Sequence, residues 1–143
     1  MCAELTFDHL VWIVAEERDA SADEVEPTIS RSVAEEALVA PFGGPAIYVL
    51  YSDPLKEAAL CCFEFIRRRP LTHDNKHVAY KCLQEMLVRY PWAHFDADPQ
   101  KVEEMLDGVG DESKDEDEFV DWVRAEAGMV AWLRYQQRGG ATA

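Results

Sequence analysis

The chain has little of several features that mark common protein classes. It has four cysteines in 143 residues, and no two stand in a C-x-x-C arrangement, which excludes a zinc ribbon. It has 14 basic against 28 acidic residues, so its net charge of −14 repels phosphate backbones. It has no apolar run near the roughly 20 residues that span a bilayer, and its start lacks the basic and apolar stretches of a signal peptide. We therefore expect a cytoplasmic protein that binds neither nucleic acid nor a membrane.

What the chain does have is apolar spacing typical of helices. Apolar residues make up 48% of it and charged residues 29%, which indicates a globular protein. We expect a single domain over residues 1–143, with residues 139–143 frayed. The predicted fold is all-α with about six helices: a first with Phe7, Leu10, Val11 and Val14 on one face and Thr6 as its cap, a second over Thr28 to Ala40, a third from Asp53-Pro54 to Arg69, a fourth from Asp74 or Asn75 to about Tyr90, a fifth after Asp98-Pro99, and a sixth around Phe119, Trp122 and Val123.

Several conspicuous features have ordinary structural explanations. The segment Ile47 to Tyr51 is β-branched and aromatic after a turn cluster, which predicts a short extended segment or hairpin. Asp107 to Glu118 holds seven acids and one lysine without EF-hand spacing, which is typical of a solvated loop and the acidic first turn of a helix. An apolar face from Met129 to Tyr135 either packs on the domain or meets a partner. We expect the cysteines to be buried hydrophobes, and His9 and His94 to be structural.

The segment Arg69 to His77 carries the chemistry. A proline-broken loop leads into a helix, whose first backbone N–H groups have no internal partners and favour anions. Asn75 offers an amide donor and Lys76 a positive charge, behind the densest basic run of the chain, Arg67-Arg68-Arg69. The sequence therefore predicts a site for an anion such as a phosphate group at this helix start, and the residues predicted to bind it are Asn75, Lys76, Asp74 and Thr72.

Here the sequence resembles the Fic/Doc (Fido) family, and in length and layout its Doc, or death-on-curing, branch. That family's loop reads His-Pro-Phe-x-Asp-Gly-Asn-Lys-Arg, and the ungapped counterpart is Arg69-Pro70-Leu71-Thr72-His73-Asp74-Asn75-Lys76-His77. The segments Asp53 to Ala59, Phe95 to Asp98 and Phe119 to Val123 also resemble stretches of the family. By the same resemblance, Ile47 to Tyr51 stands where the family has a flap that docks its target.

The resemblance implies a Fido-type helical fold and an activity. Such proteins use ATP or another NTP with magnesium to move AMP or a phosphoryl group onto a hydroxyl of a protein target, and Doc-type members are held by an antitoxin partner. The family's histidine takes the hydroxyl proton, its acid holds the metal, its glycine admits phosphates, and its Asn-Lys-Arg run binds them.

Four positions of the loop depart from the family. Arg69 stands at the base position, and an arginine stays protonated. His73 stands at the metal position, although magnesium prefers oxygen ligands. Asp74 replaces the glycine and His77 the final arginine. We therefore expect the family's transfer reaction to be altered or redirected.

Three hypotheses follow. In a repurposed enzyme the catalytic residues are His73, His77 and Arg69: the two histidines, four residues apart, share a helix face, and His73 replaces the missing base while Arg69 and Lys76 stabilise an anion. In a transition-metal site the same histidines bind one ion with Asp74 and a more distant cysteine, Cys61, Cys62 or Cys82. In the third, the chain is a catalytically inactive Fido-fold protein that acts as a protein-binding module or a toxin–antitoxin-type component.

Overall fold

The computed structural model describes residues 5–39, 54–88 and 97–127. These ranges contain seven α-helices and one 3₁₀ turn, Glu26–Thr28; the helices are α1 (Phe7–Arg18), α2 (Ala22–Val25), α3 (Arg31–Val39), α4 (Pro54–Arg68), α5 (Asn75–Leu87), α6 (Pro99–Gly110) and α7 (Glu116–Ala127). Within the same ranges the β-type pairing is limited to one antiparallel bridge, between Ile29 and Leu71. The all-α prediction is therefore confirmed for the described residues.

Side-chain caps fix the starts of four helices, as the sequence signals suggest. In each, the oxygen of the capping residue accepts a hydrogen bond from a backbone N–H of the first turn, which otherwise has no partner. The caps of α1, α2, α6 and α7 are Thr6, Ser21, Asp98 and Asp115. The acidic first turn predicted near Glu118 is confirmed, and there the backbone N–H of Asp115 also donates to the Glu118 carboxylate, which completes a capping box.

The prediction of a second helix over Thr28 to Ala40 is wrong about where the helix begins. Thr28 ends the 3₁₀ turn, and α3 begins three residues later, at Arg31. Ile29 looks helical from its spacing to later apolar residues, but it is extended and pairs with Leu71. The short α2 was missed because it is a four-residue helix that buries one side chain, Val25. This helix explains why seven helices are present where about six were expected.

Helix α4 lies at the centre of the described core. It packs against α3, α5, α6 and α7, and its most extensive contact is with α5. Its predicted apolar stripe is buried throughout: Leu55, Ala59, Cys62, Phe63, Phe65 and Ile66. Helix α1 covers the other side of α5 and also contacts α3. This arrangement presents the loop between α4 and α5 to the ends of α1 and α6.

The cysteine prediction is confirmed where it can be examined. Cys61, Cys62 and Cys82 are buried in the core and form no disulfide with one another. Loss of hydration on burial, with a smaller effect of the Glu85 charge, raises the pKa of Cys82 to about 12, and burial raises that of Cys62 well above its ordinary value. Cys62 and Cys82 therefore stay protonated, and all three side chains contribute to the core as small hydrophobes.

Other predictions lie outside the described residues. They concern the extended segment Ile47 to Tyr51, the side chain of His94, the apolar face from Met129 to Tyr135, and the frayed tail 139–143. His9 lies within the described residues, and its ring contacts the Trp12 ring edge-on, with ring centroids 6.3 Å apart. Among the helices of the described ranges, none combines the length and the apolar character needed to cross a membrane.

Candidate functional site

An open cleft lies where the α4–α5 loop meets α6. Its volume is about 1290 Å³, and its walls are the loop, the first turns of α5 and one face of α6. Its charged or ionisable lining consists of Arg69, Asp74, Lys76, His77 and Tyr80 from the loop and α5, and Glu103, Asp107 and Asp111 from α6 and its end. Both cations of this lining therefore stand on the wall formed by the loop and α5, together with one carboxylate, and the α6 wall carries three carboxylates.

The loop is held in place by hydrogen bonds to its backbone groups. The Asn75 side chain accepts a hydrogen bond from the Leu71 N–H at 2.9 Å and donates one to the Leu71 carbonyl at 3.0 Å. The Ser30 N–H donates to the Pro70 carbonyl at 2.8 Å, next to the Ile29–Leu71 bridge. Asn75 was predicted to offer its amide to an anion, but both ends of that amide are used by the loop.

The start of α5 differs from the capped helix starts. Its N-cap residue, Asp74, makes no side-chain capping bond. Its backbone is left-handed, with φ 64° and ψ 26°, a conformation that favours glycine. The backbone N–H groups of Asn75, Lys76 and His77 accordingly have no partner among the described residues, and they form the positive end of the helix dipole.

The lysine of the loop motif is paired across the cleft. Lys76 Nζ lies 2.6 Å from Asp107 Oδ1, and both side chains are about half exposed. Asp111 lies on the same side, where hydrogen bonds from Ser113 lower the pKa of its carboxyl and the Lys76 charge lowers it further. An anion that enters this part of the cleft must compete with Asp107 for Lys76.

The basic run does not act as one unit. Arg67 donates to the carbonyls of Val109 and Lys114 at 2.7 and 3.0 Å and lies over the Phe63 ring, so it ties the end of α6 to α4. Arg68 pairs with Glu64 and Glu36 on the surface. Arg69 alone lines the cleft.

The two histidines of the predicted site have different partners. His73 Nδ1 lies 2.7 Å from Asp74 Oδ2, and its ring is not part of the cleft lining. His77 lines the cleft, and its Nε2 contacts Glu17 Oε1 at the end of α1. Arg18, next to Glu17, donates to the His73 carbonyl at 3.1 Å. Of the two histidines, His77 but not His73 lies in the lining of the cleft.

Of the predicted site residues, six line the cleft: Arg69, Thr72, Asp74, Asn75, Lys76 and His77. Sequence reasoning missed Glu17 and Asp107, which reach the loop motif from positions 60 and 31 residues away. No local pattern marks either residue. Asp107 belongs to the acidic stretch Asp107 to Glu118, whose sequence alone indicates a solvated loop and does not point to Lys76.

The metal hypothesis finds no third ligand. In the described parts of the chain, no three histidine, cysteine, aspartate or glutamate side chains are grouped so that they could hold one ion. The cysteines named for that role are buried, and His73 and His77 are paired with carboxylates of different helices or loops. His73, at the family's metal position, offers no oxygen ligand, and its ring lies outside the cleft lining, so it does not fit the family's magnesium site.

Comparison with known proteins gives no family assignment. Neither a protein-family model, nor a curated protein, nor a solved structure matches this chain. The likeness to the Fic/Doc family therefore rests on the loop motif and the stretches around it.

Proposed function

We propose that the cleft at the start of α5 binds the phosphate groups of a nucleotide, and that the chain is a Fic/Doc-like protein whose group-transfer reaction is altered. The observation that carries this proposal is the open N-terminus of α5. Its first three N–H groups, which have no partner among the described residues, belong to residues that line a cleft of about 1290 Å³, together with Arg69. Backbone N–H groups, a helix dipole and two cations are the donors that phosphate needs.

The backbone of Asp74 supports the likeness to the family loop. Where the family has glycine, Asp74 takes up the left-handed conformation that glycine favours. The Asp74 carboxylate, however, adds a negative charge at the place where phosphates would approach. We therefore expect weaker phosphate binding than the backbone shape alone would give.

Transfer to a hydroxyl also requires a group that accepts its proton. Arg69 cannot do this and would instead stabilise charge on the phosphates. His77 lines the cleft and stands two residues from Asn75, at the same open helix start. In the proposed reaction the acceptor oxygen bonds to phosphorus, the leaving phosphate takes the electrons of the broken bond, and the hydroxyl proton passes to His77.

A second candidate is a catalytically inactive member of the same fold that binds a protein target or an antitoxin-like partner. This candidate is favoured because residues of the loop motif already form hydrogen bonds and an ion pair with other groups of the protein. The Asn75 amide is bound to Leu71 and the Lys76 ammonium to Asp107, so two of the family's phosphate ligands already have partners. A protein that no longer binds nucleotides would lose little by such pairing.

Titration calorimetry with ATP, with and without magnesium, tests the proposal. Lys76→Ala is expected to weaken ATP binding by about tenfold, since a hydrogen bond to a charged group contributes about 1.5–3 kcal/mol. Lys101→Ala is the matched control, because Lys101 is an exposed lysine of α6 that pairs with Glu104 and does not line the cleft.

The outcomes separate the two candidates. ATP binding that Lys76→Ala weakens and Lys101→Ala does not would support the nucleotide site, and label transfer from γ- or α-labelled ATP to a hydroxyl would then identify the enzyme. ATP binding without transfer would favour the inactive protein. Absence of ATP binding in wild type would refute the nucleotide site.

A further inference from the structure

A carboxylate from α1 meets the imidazole of His77 in the wall of the cleft. The contact joins Glu17 Oε1 to His77 Nε2, and the Glu17 side chain is 28% exposed against 55% for His77. Glu17 lies in the last turn of α1, which packs directly on α5, so the helix packing sets this pair. Glu17 also lines a small groove on the other side, with Trp12 and Lys81. The pair therefore stands between that groove and the cleft.

The chemistry of the two groups decides where the imidazole proton lies. An ionised carboxylate only accepts hydrogen bonds, so in a neutral His77 the proton must be on Nε2. Nδ1 then carries a lone pair, and it has no partner among the described residues. A carboxylate that holds one ring nitrogen leaves the other as a proton acceptor and stabilises the imidazolium that forms.

His73 provides the opposite arrangement four residues away. Its Nδ1 contacts Asp74 Oδ2, so the same reasoning places its proton on Nδ1 and its lone pair on Nε2. His73 in the loop and His77 in the first turn of α5 thus have opposite proton positions, fixed by different carboxylates. His73 is outside the cleft lining, so of the two histidines only His77 can contact a molecule bound in the cleft.

We propose that Glu17 is a positioning residue that holds His77 with its proton on Nε2 and presents Nδ1 to the cleft as the proton acceptor. The acceptor role rests on the proposed function: the hydroxyl proton goes to Nδ1 as the hydroxyl oxygen bonds to the phosphorus of an NTP and the leaving phosphate departs. The proton position itself does not rest on it, since it follows from the Glu17 contact.

Long-range ¹H–¹⁵N correlation spectra of the full-length protein, labelled on histidine nitrogen, test this assignment. In alkaline buffer His77 should show a protonated Nε2 and an unprotonated Nδ1, and His73 the reverse. Glu17→Gln should shift both nitrogen resonances of His77 toward averaged values, with no change at His73, because the glutamine amide can either accept from Nε2–H or donate to an unprotonated Nε2. Variants His73→Ala and His77→Ala assign the signals.

Glu16→Gln is the matched control, because it removes the same charge from the neighbouring position of α1 without touching His77. A second readout is the rate at which diethyl pyrocarbonate acylates His77, followed by mass spectrometry against His73 in the same sample. Glu17→Gln should slow the reaction at His77 severalfold, and Glu16→Gln should not.

Each result bears on a different claim. A protonated Nδ1 on His77 in wild type, or His77 signals that Glu17→Gln leaves unchanged, would overturn the inference even if ATP binds. An intact Nε2–H signal together with absent ATP binding would overturn the nucleotide site and, with it, the acceptor role, while Glu17 would still be shown to position the ring.

Discussion

Asn75 binds both backbone groups of Leu71, four residues before it, through a single side-chain amide. Asn75→Ala should lower the free energy of unfolding by about 1–3 kcal/mol, because a half-buried N–H and carbonyl lose their partners together. Urea unfolding measures the effect. Thr72→Ala is the control in the same loop, since Thr72 is exposed, and it should change stability by less than about 0.5 kcal/mol. Equal effects of the two substitutions would contradict this role of Asn75.

Asp74→Gly should stabilise the protein and strengthen phosphate binding. Relief of the left-handed backbone is worth about 1 kcal/mol, and removal of the carboxylate takes a negative charge from the cleft. Asp19→Gly separates the two effects, because Asp19 has φ 51° at the end of α1 and lies outside the cleft lining. Both variants should raise the melting temperature, and Asp74→Gly alone should raise ATP affinity in calorimetry. A similar affinity gain for Asp19→Gly would argue against a local charge effect.

Two glycines of α6 should respond differently to alanine. A Cβ at Gly108 would lie 2.3 Å from Lys114 Cγ and 3.3 Å from Lys114 Cβ, so the turn after α6 would have to shift. We expect Gly108→Ala to destabilise the fold by about 1–3 kcal/mol. At Gly110 the nearest atom would be Lys76 Cδ at 3.5 Å, an ordinary contact. Gly110→Ala should therefore be neutral or slightly stabilising, and thermal unfolding of the pair would show whether crowding decides the difference.

The three core thiols should be inert in the native protein. Cys62 and Cys82 are buried with raised pKa values, so they lack both access and the thiolate that reacts. In a Cys2→Ser variant, iodoacetamide should label none of the three until denaturant unfolds the chain, and labelling should then follow the global transition. Rapid native labelling of Cys62 or Cys82, detected by peptide mass, would mean that the α4–α5 core opens locally.

Much of the fold could be predicted because burial repeats along the helices. The stripes of α4 and α6 have apolar residues three and four apart, and these residues are buried. Ile29 shows the limit of this reasoning: its spacing fits a helix, but its pairing with Leu71, from a distant segment, makes it extended. Helix α2 buries only Val25, so its sequence has no apolar stripe from which a helix could be predicted.

The position of the candidate site could be predicted from the sequence, but the side-chain contacts within it could not. The loop motif indicated the open helix start, and six of the predicted residues line one cleft. The sequence could not show that Arg67 binds the carbonyl of Val109, or that Lys76 pairs with Asp107, since these partners are 42 and 31 residues away. Three adjacent arginines look equivalent in the sequence, and tertiary contacts give each a different role.

The bonds from Ser30 to Pro70 and from Arg18 to His73 have a consequence for how the protein folds. They join the first third of the chain to the loop between α4 and α5, so the docking of α1 and of the segment before α3 helps to fix the shape of the loop. A chain in which α1 detaches transiently would keep the α4–α5 pair but lose the geometry of the cleft. The geometry of the cleft therefore depends on the stability of the N-terminal helices.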